Sequence, residues 1–276
     1  MTVRDYYKAH FDELSKKKKF HLAVRMRNWF SDNSFDDLLN AEKPELSIAK
    51  ILENDNYENV NYIKERRPYF EKYKGLYGLE AALVQTLMYL YEYNDDRREE
   101  LLSAFGGIEK LYKLCDDLVS DDAAFFTLTT FAVNVIALTE ELFPRGNDVY
   151  KVMLEKALAV EQNEKSIYLY THIMLCESKF YHAEIVNHKE LYLRAMESCD
   201  KIILEKFDEI SFDIKFEFLV CAEMVGYSAA SKEKIRAEAE DNKTDFVVDP
   251  RKPDRLNTFD GAEHRNVLYM MSGLDI

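Results

Sequence analysis

A chain of 276 residues with only eight glycines and five prolines cannot change direction often. Turns in all-β proteins consume both residue types, so their scarcity predicts long helices joined by short loops. With 47% hydrophobic and 32% charged residues, the chain has the composition of a folded protein and is long enough to bury a substantial core. The length fits one large domain or two small ones.

Apolar periodicity and capping residues predict the elements. Residues 3–30 read as one long helix or two joined ones, and Pro44 starts a short helix to about Leu52. Gly75 to Gly78 is a break, and apolar helices follow over Leu79–Tyr93 and Asp121–Leu142, with Gly106-Gly107 interrupting the helix between. Further helices are expected over Asp148–Val160, Ser166 to about Val186, Lys189–Phe207, Phe212–Gly226 and Ser231–Glu240. Residues 212–218 alternate with period two, but the apolar run continues without a turn signal, which favours helix. Thr244 to Asp249 is β-prone, and Ala262–Met271 is a final short helix. The expected fold class is all-α: antiparallel helical hairpins forming an irregular solenoid, a partial α/α toroid or a single bundle. The expected domains are a helical one over residues 1–240, divisible near 76 or 146, and a segment over 241–276 packed onto it.

Charge narrows the partners. A net charge of −14 repels a phosphate backbone, which argues against broad nucleic-acid binding. The one basic run, Lys16 to Lys19, continues through His21, Arg25 and Arg27, and reads as a solvated helix face or a contact for an acidic partner. No apolar window is long enough to cross a membrane, and the first residues lack the apolar core of a signal peptide. Cys115, Cys176, Cys199 and Cys221 are far apart and fall in apolar stretches, as reduced, buried thiols of a cytoplasmic protein do.

The residues that can carry chemistry gather between Ser166 and Gly226. His172 and Cys176 are four apart on one helix, and Asp213, Glu217 and Cys221 form a line on the next. With the later His264 they include the residue types of a zinc or iron site, with His172, Glu217 and His264 as ligands. The plainer alternatives are a core histidine with one hydrogen bond, small buried thiols and a solvated acidic stripe. His182 and His188 read as surface or capping residues, and Asp121 in the Asp-rich run 116–122 as a helix cap.

The ending Asp260-Gly-Ala-Glu-His264-Arg-Asn-Val-Leu-Tyr269-Met-Met-Ser272-Gly273-Leu274 resembles the C-terminal region of protein prenyltransferase β subunits. In those α/α-toroid proteins an Asp, a Tyr-His pair and a Ser-Gly-Leu follow in order and the His binds zinc, a role the resemblance gives to His264. Thr171-His172, Asp213, Glu217 and His264 are also similar in order to a pattern in uncharacterised all-helical proteins, which implies a toroid with a polar centre.

The expected function is that of a binding or interaction module without catalysis of its own, with a protein or peptide partner. The alternative is an enzyme acting on a peptide or isoprenoid-like ligand, with His172, Asp213, Glu217 and His264 in a central cavity and zinc or iron as a possible cofactor.

Overall fold

The computed structural model describes residues 1–41, 48–53, 61–160 and 162–275. Among them are sixteen α-helices, and the only extended pairing is a single bridge between Lys243 and Val247. The protein is all-α. The start of the short helix expected from Pro44, and most of the loop expected over 54–61, lie outside the described residues. The chain divides into two compact units: Met1–Glu42, Gln162–Ile167 and Glu184–Ile276 form the first, and Lys43–Glu161 with Tyr168–Ala183 the second.

The first unit opens with α1 (Val3–Ala9), α2 (Lys16–Phe30) and α3 (Asp36–Ala41). Residues 3–30 are thus two helices, the second stopped where Ser31 adopts a left-handed conformation and Asp32 N–H closes on the Met26 carbonyl at 2.9 Å. The start of α1 is capped from both ends of the chain. Thr2 Oγ1 accepts from Asp5 N–H at 3.1 Å, and the Asp275 carboxylate accepts from the N–H groups of Val3 and Arg4, each at 2.8 Å.

The second unit holds α4 (Ile48–Glu53), α5 (Arg67–Lys72), α6 (Leu76–Tyr93), α7 (Arg98–Phe105), α8 (Ile108–Ser120), α9 (Asp122–Leu128), α10 (Thr130–Leu142) and α11 (Val149–Leu158). Helix α12 (Glu164–Glu177) gives its first turn to the first unit and the rest to the second. Helix α10 is the centre of this unit, packed on α6, α8, α9 and α11. Its residues Phe131 to Glu140 are all buried, so it carries no polar stripe. Each fully buried Val, Ile or Leu there contributes about 1.5–3 kcal/mol.

Three departures from the sequence reading have local causes. Gly78 is no break: it lies inside α6, where α4 comes so close that a β-carbon would stand 2.1 Å from the Ile51 carbonyl oxygen. The helix expected over Asp121–Leu142 is two, bent by 104° at Thr129. There φ is 49°, and Arg66 donates to the Thr127 carbonyl and Thr129 Oγ1 at 3.1 and 3.0 Å, which satisfies the corner. By length and apolarity this bent pair together matches a broken membrane span, but among the described residues no single helix is long and apolar enough to cross a membrane. Helix α12 stops at Glu177, nine residues early, because Lys179, Phe180 and Tyr181 all have positive φ and reverse the chain.

The chain then completes the first unit with α13 (Lys189–Glu205), α14 (Phe212–Val225), α15 (Lys232–Asp241) and α16 (Glu263–Met271). Helix α14 packs between α13 and α16, and α16 also packs on α2 and α1. The first N–H of α14, from Phe212, donates to Asp249 Oδ2 at 2.8 Å, a cap from a buried carboxylate on the far side of α15. The alternating residues Phe212, Ile214, Phe216 and Phe218 are buried, and so are Lys215 and Glu217 between them. A helix enclosed on nearly all sides needs no 3.6-residue pattern. The β-prone segment is tied to α16 by Asn266, whose side chain accepts from Val247 N–H at 2.7 Å and donates to its carbonyl at 3.0 Å.

Candidate functional site

On α2, Lys18 and His21 are three residues apart and share a face. That face meets the first turn of α16. Glu263 has a side-chain exposure of 0%, and its two oxygens receive His21 Nδ1 at 2.7 Å and Lys18 Nζ at 3.2 Å. Burial pushes the Glu263 carboxyl up, but the charge and hydrogen bond of His21 and the charges of Lys18 and His264 outweigh it, and its pKa lies below the usual value.

His264, the next residue, is exposed and has its ring centroid 5.4 Å from that of His21. Its pKa is held below the ordinary histidine value by the packing around it and by the charge of His21, while Asp213 and Glu263 pull the other way. Asp213 Oδ2, from the first turn of α14, lies 3.6 Å from both Lys252 Nζ and Arg265 Nε. Arg265 is nearly buried and anchored by a 2.8 Å bond to Asn257 Oδ1.

Two of the predicted residues fall in this cluster. His264 and Asp213 are close enough to influence one another and share a cluster with Lys18, His21, Lys252, Glu263 and Arg265. Glu217, one turn after Asp213, is buried, and its charge adds to the burial that raises the Cys221 thiol. His172 belongs to the second unit, half-buried on α12 with Nδ1 3.4 Å from Thr171 Oγ1. All four cysteines are buried thiols outside any disulfide. Among the described residues, no three His, Cys, Asp or Glu side chains group so as to hold a metal ion.

Other residues singled out by type have structural roles. Asp121 caps α9, accepting from Ala124 N–H at 2.9 Å. His188 is the N-cap residue of α13. His182 does more than cover a surface: Nε2 lies 3.1 Å from a Glu92 oxygen whose side chain is fully buried, and the ring stacks on Tyr91 at 4.6 Å. In the second unit Glu80 accepts from Asn134 Nδ2 at 2.5 Å, and Asn134 Oδ1 accepts from the Cys176 thiol at 3.3 Å. Burial raises the Glu80 pKa to about 7, only partly offset by Asn134.

Compared with protein-family models, curated proteins and solved structures, the chain matches none. What stands of the likeness to prenyltransferase β subunits is the all-helical build. Ser272-Gly273-Leu274 ends α16: Ser272 Oγ donates to the Tyr269 carbonyl at 2.8 Å, and Gly273 supplies the left-handed residue at φ 69°.

Residue type and spacing do not single out Lys18 or Glu263 as site residues, and they place His21 only within a basic run. The charge run was a visible signal; its seat on a buried carboxylate 242 residues away was not.

Proposed function

We propose that the protein is a binding module without chemistry of its own, and that a protein or peptide partner docks on the face made by α2 and α16. The supporting observation is the fixing of Lys18 and His21 by a buried carboxylate, beside an exposed His264. Side chains held before binding lose less freedom when a partner arrives, so more of the contact energy becomes affinity. The test places a photo-crosslinking amino acid at position 264 or, as a control, at exposed position 152 of the second unit. Irradiation in the source cells is expected to give one dominant protein adduct from position 264 and none from 152. Equal or absent adducts would end this reading.

One observation favours the enzyme alternative. The 2.7 Å contact of Glu263 with His21 Nδ1 leaves Nε2 for a substrate proton, the arrangement of an oriented general base. On that reading His21 replaces His172 beside Asp213 and His264, and His21→Ala abolishes turnover of a peptide or isoprenoid-like substrate.

A further inference from the structure

We propose that the α2 and α16 face recognises an acidic peptide segment, one carboxylate of which lies between Lys18, His21 and His264, and that a proton is taken up as it binds. This rests on the binding-module reading and names its ligand.

The charges facing the site come from four elements. Helix α2 supplies Lys18 and His21, α16 supplies Glu263, His264 and Arg265, α14 supplies Asp213, and the segment before α16 supplies Lys252. Helix α1 adds only Tyr7, which burial and the charge of Glu263 keep neutral. Three permanent cations face two carboxylates, so the cluster is net positive before either imidazole is protonated. Asp213 is shared by two cations at 3.6 Å each, longer than a contact ion pair, and so neutralises neither fully. This positive spot sits on a chain whose net charge is −14. A strongly acidic protein repels acidic partners at long range, so a local cationic seat selects which acidic segment is admitted.

The two imidazoles explain the proton. With ring centroids 5.4 Å apart, two charged rings repel, and that repulsion opposes protonation of His264 in the free protein. A carboxylate placed between them removes the penalty and favours the charged form. Binding and protonation then reinforce each other: affinity rises as pH falls, and His264 titrates higher in the complex. Lys18 is needed for affinity, whereas His264 is needed for the pH dependence.

The test uses the whole protein with end-blocked, fluorescein-labelled hexaglutamate and hexaglutamine, read by anisotropy at pH 7.5 and pH 5.5, with the His264 ring followed by NMR. Hexaglutamate is expected to bind about threefold or more tightly at the lower pH, a modest factor because the site is partly exposed to solvent and salt. Lys18→Gln is expected to weaken binding at both pH values. His264→Gln is expected to remove the pH dependence, and hexaglutamine not to bind. Equal binding of the two peptides, or hexaglutamate binding unaffected by both substitutions, would overturn the proposal. So would no hexaglutamate binding at either pH, or displacement of the bound peptide by a trace of single-stranded RNA. A dominant crosslinked partner that meets position 264 through a non-acidic segment would sink this inference and leave the binding module standing; no adduct would sink the module itself.

Discussion

Replacing Glu80 by glutamine should stabilise the protein, by an amount that grows with pH up to about 7 and then levels off. Glu80 faces Asn134, whose amide donates at 2.5 Å, and its pKa is raised by burial from 4.5 to about 7. The unfolded chain therefore releases this proton at lower pH than the folded one. Below the unfolded value both states hold it and there is no penalty; between that value and about 7, stability falls as pH rises; above it the penalty is complete. The difference of about 2.5 units corresponds to a ceiling of about 3.4 kcal/mol at 1.36 kcal/mol per unit. Glu80 as a residue is only part-buried, so solvent screening reduces this to about 2 kcal/mol. Glutamine keeps the acceptor for Asn134 and never ionises. Urea unfolding followed by circular dichroism should show wild type and Glu80→Gln nearly equal at pH 4.5, with the variant about 2 kcal/mol more stable at pH 8. Amide exchange in α6 and α10 should slow in the variant at pH 8 only. The same difference at both pH values, or a variant less stable at pH 8, would refute the reasoning.

Two further substitutions test the packing. Gly78→Ala exchanges a poor helix former for the best one, worth about 1 kcal/mol, yet the new carbon meets the Ile51 carbonyl oxygen at 2.1 Å; a lower melting temperature is expected, from overpacking of about 1–3 kcal/mol, and a rise would show that α4 yields freely. Asp249→Ala removes the cap on Phe212 N–H and the partner of Arg251, 2.7 Å away, and should cost about 1–3 kcal/mol at pH 7 by chemical denaturation. Burial pushes the Asp249 pKa up, but the Phe212 and Arg251 bonds outweigh it and hold it below the usual value; its contribution is thus present above the unfolded pKa, and the gap between wild type and variant should close as pH falls through the folded one.

The helical class was legible because glycine and proline scarcity limits turns everywhere at once, and α14 was legible because its apolar run continues to Gly226 without a turn signal. The corner at Thr129 and the end of α12 were not. Neither has a glycine or proline to mark it, and the groups that hold the corner come from Arg66, more than sixty positions away. Gly78 carried the opposite signal, since a glycine needed for close packing looks in sequence like one needed for a turn. In the candidate site, residue type was enough to single out His264 and Asp213. Their companions on α2 could not be read, because a buried carboxylate that holds a lysine and a histidine is a tertiary fact; nor could the membership of His172 in the other unit.

The reversal after α12 has a stereochemical consequence. Lys179, Phe180 and Tyr181, with φ of 54°, 55° and 75°, all take the sign of φ that belongs to the hand L-residues avoid, at about 1–3 kcal/mol each. It is held by Phe180 N–H on the Leu175 carbonyl, by Ser178 Oγ accepting from Tyr181 N–H, and by the ion pair of Lys179 with Glu141. For the mirror-image amino acids that same hand is the comfortable one. A chain assembled chemically with a D-residue at position 180 would meet no backbone opposition there, while the same exchange inside α12 would break the helix.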